Sequence, residues 1–117
     1  MKTINRLPET EGKYVLMFVS NHCPYCKQME KLLKQMEKDY ASKGIEFYVL
    51  NISNNPEIAQ RYNIMSTPLI YFMNGKSVVG KELGAVSKRT VELELEELLK
   101  AGEFIKKIKK LFGFGRG

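Results

Sequence analysis

Two cysteines three residues apart are the side chains of this sequence best suited to chemistry. They lie in the segment His22-Cys23-Pro24-Tyr25-Cys26-Lys27 and are the only cysteines among the 117 residues. A cysteine thiolate attacks disulfides, and a second thiol one helical turn away can resolve the mixed disulfide that forms. The spacing therefore predicts exchange of electrons with disulfides in other molecules, with Cys23 attacking and Cys26 resolving.

The position of the pair between two predicted elements strengthens this interpretation. Residues 13–20 form a short apolar run typical of a buried strand. From Pro24 to about residue 42, apolar residues recur on one face of a predicted helix: Met29, Leu32, Leu33, Met36 and Tyr40. A helix N-terminus offers unpaired N–H groups and partial positive charge, so we expect the pKa of the Cys23 thiol to fall below its free value.

Other interpretations of the pair are weaker but remain open. Structural zinc takes four ligands, whereas this sequence offers two cysteines and one histidine, the neighbouring His22. Two inert thiols are not expected directly after a buried strand at the start of a helix. His22 has two interpretations, because a protonated imidazole beside Cys23 favours the thiolate, but a histidine can also simply fill a loop position.

The remaining elements predict one α/β domain. A strand over residues 45–52 precedes a short helix, with Asn55 as its cap and Pro56 at its first position. Pro68 precedes a strand over residues 69–73, and the Asn74-Gly75 turn leads into a return strand over residues 77–81. Ser87 caps a last helix to about residue 101. The order β-α-β-α-β-β-α predicts a four-stranded mixed sheet with helices on both faces.

Charge separates the predicted domain, residues 1–101, from a basic tail, residues 102–117. Residues 1–99 carry 13 Lys/Arg and 12 Asp/Glu, whereas most of the net charge of +6 lies beyond them. Within the tail, residues 103–112 place Phe104, Ile105, Ile108, Leu111 and Phe112 on one helical face, with lysines elsewhere. Such a helix packs on its own domain, a partner protein or an anionic membrane surface. Nucleic acid is not expected, since no aromatic stacking platform accompanies the lysines. The sequence shows no apolar span or secretory signal, so we expect a cytoplasmic protein.

The strand, the C-P-Y-C tetrapeptide, the helix and the later S-T-P segment together resemble the thioredoxin-like superfamily over about residues 10–101. Cys23-Pro24-Tyr25-Cys26 is similar to the glutaredoxin tetrapeptide. The later segments are similar to thioredoxins: Asn51-Ile52, Asn55-Pro56, Tyr62-Asn63-Ile64, Ser66-Thr67-Pro68, residues 72–76 and residues 83–88. The resemblance implies a minimal thioredoxin fold without the extra first strand and helix of thioredoxins.

The same resemblance implies a substrate site around the dithiol. Pro68 is expected to follow a cis peptide bond, with Thr67 pairing backbone to backbone with an extended substrate segment. Gly84 and Ala85 are expected to form another part of the groove. Pro24 and Tyr25 are expected to contact substrate and to tune the redox potential.

The sequence differs from both thioredoxins and glutaredoxins at positions that are functional in those proteins. Thioredoxins place a tryptophan where this chain has His22, and a buried Asp and Lys where it has Met17 and Val49. Glutaredoxins bind glutathione with a Gly-Gly and acidic residues near the last helix, but residues 84–88 contain no acid. A dedicated glutathione site is therefore not expected.

These features predict a monomeric protein-disulfide reductase that needs no cofactor or metal beyond its own cysteines. Its expected partners are protein disulfides and a thioredoxin reductase-like or other electron donor. Two alternatives stay open. One is a thioredoxin-like interaction module that uses the basic tail, and the other is a glutathione-dependent glutaredoxin or iron–sulfur carrier.

Overall fold

The computed structural model describes residues 1–102, and the predicted tail helix lies outside the described residues. The elements follow in the order β1 (Lys2–Thr3), β2 (Lys13–Val19), α1 (Cys26–Tyr40), β3 (Ile45–Asn51), α2 (Pro56–Arg61), β4 (Leu69–Asn74), β5 (Ser77–Leu83) and α3 (Lys88–Lys100). One turn of 3₁₀ helix, Ala41–Lys43, extends α1. The predicted mixed α/β thioredoxin-like fold is confirmed.

The strands form one mixed sheet in the order β1-β3-β2-β4-β5. β2 pairs with β3 in parallel and with β4 antiparallel, and β4 and β5 form the predicted hairpin. The prediction of four strands was one short, because β1 adds a two-residue parallel strand at the β3 edge. A strand of two exposed residues has no apolar alternation from which the sequence could reveal it.

Two apolar layers cover the two faces of the sheet. On one face, α1 and α3 contribute Met29, Leu33, Val91, Leu95 and other buried side chains to the larger core. On the opposite face, the smaller core contains Tyr14, Leu16, Phe18 and Leu69, with α2 and the N-terminal segment packed against it. The sheet is therefore covered by two long helices on one side and by one short helix on the other. Within residues 1–102, no helix has the length and apolar character needed to cross a membrane.

Local capping explains where the helices begin. Ser87 accepts a hydrogen bond from the Thr90 backbone N–H at 3.1 Å, as predicted for the start of α3. Asn55 precedes Pro56 at the start of α2, but its side chain makes no capping bond. Instead, Asn55 Nδ2 donates to the carbonyl oxygen of Asn51 at 2.9 Å and ties the helix to the end of β3. Asn55 is therefore the N-cap residue of α2, as predicted, but it lacks the side-chain capping bond that is typical of asparagine at this position.

Candidate active site

The two cysteines are joined in a disulfide at the junction between β2 and α1. Their Cα atoms lie 5.4 Å apart, within the range that a disulfide requires. Cys26 is 5% exposed and belongs to the core between the sheet and its two long helices. Cys23 is only partly buried against that core. The two cysteines are thus unequal, since Cys23 is the more exposed residue of the pair.

The helix begins two residues later than the sequence predicted. Pro24 and Tyr25 lie in a turn, Tyr25 is the N-terminal cap, and Cys26 is the first residue of α1. The Cys26 N–H donates to the Cys23 carbonyl oxygen at 3.3 Å, which closes the turn that holds both sulfurs together. The later start of α1 has two causes. Pro24 fits a turn before a helix as well as it fits a first helical turn, and the hydrogen bond from Cys26 to Cys23 stabilises that turn.

No side chain caps α1, and its first turn contains no acidic residue. Apart from the Cys26 N–H, which donates to the Cys23 carbonyl oxygen, the N–H groups of the first turn therefore keep their capacity for an anion at this end of the helix. The helix dipole adds partial positive charge at the same place. Both effects stabilise a thiolate in the reduced protein more than the corresponding thiol.

A second loop meets the dithiol loop at this end of the sheet. The Thr67–Pro68 peptide bond is cis, the geometry that the family resemblance implied. Ser20 Oγ, at the end of β2, lies 2.6 Å from Thr67 Oγ1. Phe18 and Leu69 are paired across β2 and β4, so the two loops leave neighbouring strands at the same edge. Thr67 and Pro68 therefore lie beside the segment that carries the cysteines.

Gly84 joins the same end of the fold. Its N–H donates to the Pro68 carbonyl oxygen at 2.8 Å, and its φ of +83° lies in the left-handed region that favours glycine. Ala85, which follows it, is exposed before α3. The structure thus places Gly84 next to Pro68. Among residues 1–102, no backbone hydrogen bond joins Ala85 to the cis-proline loop.

Polar side chains anchor the segment that leads from β2 to Cys23. The Asn21 N–H donates to Ser53 Oγ at 3.0 Å, and Asn51 Nδ2 donates to Asn21 Oδ1 at 2.9 Å. Asn51 Oδ1 in turn accepts from the Ser53 N–H at 2.8 Å. These bonds connect the dithiol loop to the end of β3. His22 is exposed in the same turn, and no hydrogen bond among residues 1–102 joins its ring to either sulfur.

Sequence reasoning missed several side chains around these loops. Ser20 carries no motif, and only the fold reveals its bond to Thr67. Met65 and Leu83 are 85% and 59% exposed, next to the cis-proline loop and to Gly84. With Tyr25, 54% exposed in the dithiol turn, they leave apolar surface on the two loops and on the last residue of β5, at the same end of the fold as the disulfide. Large apolar side chains in loops were the only available signal, and their exposure cannot be read from sequence.

Buried apolar residues occupy two positions beneath the site. Met17 and Val49 are paired across β2 and β3, and they are 0% and 8% exposed. No ionisable side chain of this pair reaches the core around Cys26. A proton leaving Cys26 therefore has no buried acid or base at these two positions to receive it.

The sequence of the whole domain matches the family model for the thioredoxin-like domain over residues 2–99. The chain belongs to the thioredoxin-like family. With its Cys23–Cys26 disulfide, this thioredoxin-like chain is a thiol–disulfide oxidoreductase.

Individual thioredoxins are identical to this thioredoxin-like chain at about a third of the aligned positions. It is 36% identical to a thioredoxin of Buchnera aphidicola subsp. Acyrthosiphon pisum over 86 residues, which are 74% of this chain and 75% of the relative. It is 31% identical to a thioredoxin of Chlorobaculum thiosulfatiphilum, over 76% and 82% of the two chains. It is 30% identical to the chloroplastic thioredoxin M4 of Arabidopsis thaliana, matching 78% of this chain but spanning only about half, 47%, of that relative.

Solved structures show the same fold at lower identity. One of these is a chain from a structure that addresses the thiol resolving mechanism in yeast mitochondrial 1-Cys peroxiredoxin via glutathione/thioredoxin systems. It superposes with a TM-score of 0.71 at 18% identity, over 83% of this chain and 94% of that one. A malarial protein superposes with a TM-score of 0.67 at 19% identity, over 75% and 98% of the two chains. These two likenesses concern the fold alone.

Proposed function

We propose that the chain reduces protein disulfides by dithiol exchange, with Cys23 as the nucleophile and Cys26 as the resolving thiol. The observation that carries this assignment is the difference in exposure between the two cysteine residues. Cys26 lies in the core at 5% exposure, whereas Cys23 is only partly covered and precedes an uncapped helix N-terminus. A target disulfide reaches Cys23 first.

The reaction balances without a cofactor. The Cys23 thiolate attacks one sulfur of the target disulfide, and the other target sulfur leaves as a thiolate that takes a proton. Cys26 then loses its proton and attacks the Cys23 sulfur, releasing the second target thiol. Two electrons pass to the target, and the Cys23–Cys26 disulfide seen here is the oxidised product.

The loops around the disulfide support an extended peptide as the substrate. Thr67 precedes the cis bond beside the dithiol loop, and its side chain is held by Ser20. In this proposal its backbone pairs with the peptide, while Gly84 and Ala85 line the other side. Pro24, Tyr25 and Met65 supply apolar contact, and His22 modulates the charge next to Cys23. The buried Met17 and Val49 leave water or the substrate to accept the Cys26 proton.

A trapping experiment tests the assignment. The Cys26→Ser variant, mixed with a disulfide-containing protein, is expected to accumulate a mixed disulfide through Cys23, because the resolving thiol is missing. The matched Cys23→Ser variant is expected to accumulate none. Adducts should be identified by non-reducing electrophoresis and peptide mass spectrometry. An adduct that forms equally well in Cys23→Ser would contradict the assignment, as would failure of the wild-type chain to reduce the same protein.

The electron donor is a separate part of the proposal. Residues 84–88 offer no acidic group for the glutathione amino end, and the sequence from Asn51 to Lys88 is similar to thioredoxins. We therefore expect faster turnover with a thioredoxin reductase than with glutathione and glutathione reductase. Efficient turnover with glutathione alone would favour a glutaredoxin-type activity instead.

A further inference from the structure

An apolar groove lies on the sheet face opposite α1 and α3, away from the disulfide. Its volume is about 1040 Å³. Side chains of the two central strands form its floor, among them Tyr14 and Phe18 of β2 and Tyr71 and Met73 of β4. Aromatic and thioether side chains on two paired strands form a continuous apolar surface, which is the kind of surface that an amphipathic helix covers.

The described residues cover this face only partly. α2 has six residues, whereas α1 and α3 on the other face have 15 and 13. At the rim of the groove, Tyr62 and Val78 are 47% and 57% exposed. Within residues 1–102, the groove is therefore open to a further apolar element.

The chain arrives at this groove as it leaves α3. Lys13 Nζ donates to the Leu99 carbonyl oxygen at 2.6 Å, which fixes the end of α3 beside the start of β2. Gly102 has a φ of +85°, so the backbone turns there instead of continuing the helix. A Cβ built on Gly102 would lie 3.6 Å from Asn74 Nδ2, and the next residue, Gly75, lines the groove. The described chain therefore ends beside the Asn74-Gly75 turn, at one end of the groove.

The sequence after Gly102 has the length and pattern that the groove requires. As a helix, residues 103–112 measure about 15 Å. The floor from Tyr14 to Phe18 runs about 13 Å along β2. Phe104, Ile105, Ile108, Leu111 and Phe112 share one face of such a helix.

Acidic charge in the groove lining favours the same occupant. Glu9 and Glu11 are the acidic residues of the lining. The basic groups nearby are Lys76 in the lining, Lys81, whose Nζ lies 5.6 Å from the centroid of the Tyr71 ring, and Arg61, which lies over the Tyr62 ring. The segment after Gly102 carries Lys106, Lys107, Lys109 and Lys110. A helix with its apolar face on the floor keeps these lysines at the surface, where the two glutamates attract them.

We propose that residues 104–112 of the same chain dock as an amphipathic helix in this groove and complete the cover of the sheet. Ile108 and Leu111 contact Tyr71 and Met73, and the lysines face Glu9, Glu11 and solvent. This inference does not depend on the redox function, because the groove lies on the face opposite the core that holds Cys26.

Nuclear Overhauser effects in the full chain test the docking. With methyl-labelled Ile, Leu and Met, cross-peaks are expected between Ile108 or Leu111 and the Met73 methyl or the Tyr71 ring. The double variant Ile108→Glu, Leu111→Glu is expected to abolish them and to shift the Met73 methyl resonance. The matched control Lys107→Gln, Lys110→Gln also replaces two residues, but on the polar face of the helix. It is expected to retain the cross-peaks.

Three results would overturn the proposal. The first is the absence of cross-peaks between the two segments in the wild-type chain. The second is cross-peaks that appear only between differently labelled chains in a mixed sample, which would assign the groove to a second copy. The third is a Met73 resonance unaffected by the Ile108→Glu, Leu111→Glu variant while phosphatidylglycerol vesicles shift the wild-type Ile108 signal, which would assign the segment to a membrane surface.

Discussion

Ser20 Oγ and Thr67 Oγ1 lie 2.6 Å apart and join the two loops that frame the disulfide. Ser20 is three residues before Cys23, and Thr67 precedes the cis bond to Pro68. Ser20 and Thr67 are separated by 47 residues in sequence, so this contact fixes the cis-proline loop relative to the segment that leads to Cys23. Positioning of the cis-proline loop thus depends on a side chain that no sequence motif identifies.

A double-mutant cycle on this pair measures the strength of the connection. Ser20→Ala and Thr67→Val each remove one hydroxyl, and each is expected to lower the free energy of unfolding by about 1 kcal/mol because a partner is lost. Since both act on one bond, the double variant is expected to lose less than the sum. Urea unfolding of the four proteins gives the coupling energy. Strict additivity would show that the hydroxyls do not interact.

The same variants separate positioning from stability. If the bond positions the cis-proline loop, Ser20→Ala is expected to raise the KM for a protein disulfide while leaving the reaction with a small disulfide unchanged. A small disulfide does not need backbone pairing at Thr67. An equal loss of kcat/KM with the protein disulfide and with the small disulfide would show that Ser20→Ala does not act through placement of the protein substrate.

Two glutamates on β5 and α3 predict a pH dependence of stability. Burial raises the pKa of Glu94 to about 7, with further contributions from a hydrogen bond to Glu82 and from the charges of Glu82 and Glu97. The Glu94 carboxyl rests against Gly80, where an added Cβ would lie 2.6 Å from Oε1. The folded protein therefore holds a proton at Glu94 that the unfolded chain releases near the usual pKa of 4.5.

The sign of this effect follows from linkage. The pKa of Glu94 is about 7 in the folded protein and about 4.5 in the unfolded chain. The protonated carboxyl therefore contributes stability to the folded state that is fully present below about pH 4.5. This contribution is lost as the pH rises from about 4.5 to about 7. Glu94→Gln keeps a neutral side chain at all pH values. Its stability relative to wild type is therefore expected to be greater at about pH 8 than at about pH 4, measured by urea unfolding. An equal effect of Glu94→Gln at the two pH values would contradict the assignment.

A second titratable contact links the end of α1 to the interior of α3. Tyr40 Oη donates to Glu96 Oε1 at 2.7 Å, and this hydrogen bond, with burial and nearby acidic charges, raises the pKa of Tyr40 to about 12. Tyr40→Phe is expected to cost about 1 kcal/mol of unfolding free energy. Glu96→Gln keeps an acceptor oxygen and is expected to cost less. Chemical denaturation compares the two, and an equal or larger loss in Glu96→Gln would contradict the hydrogen-bond explanation.

The sequence predicted the longer elements because their apolar patterns are strong. Helix α1 shows apolar residues at helical spacing, and β2 is a continuous apolar run. β1 was missed because Lys2 and Thr3 carry no such pattern, and only pairing with Tyr48 and Val49 makes them a strand. The start of α1 was misplaced because Pro24 fits both a turn and a first helical turn.

The site was predicted only where residue type alone carries the chemistry. The spacing of Cys23 and Cys26 indicated exchange, and the cis bond before Pro68 followed from family resemblance. The exposure of Met65 and the Ser20–Thr67 hydrogen bond were not predictable from sequence. Both depend on two loops that are distant in sequence and become neighbours only because β2 and β4 pair in the sheet. Asn55 is the N-cap residue that its type predicted, but its side-chain amide bonds to Asn51 instead of capping the helix.

Alkylation of the reduced protein tests most directly whether Cys23 is the reactive thiolate. The fully reduced wild-type chain should be pulsed with iodoacetamide at several pH values below the usual thiol pKa of about 8.5, and each cysteine quantified by peptide mass spectrometry. Cys23 is expected to be modified first and to react at pH values where a free cysteine no longer does. Modification of Cys26 before Cys23, or equal slow modification of both, would contradict this expectation.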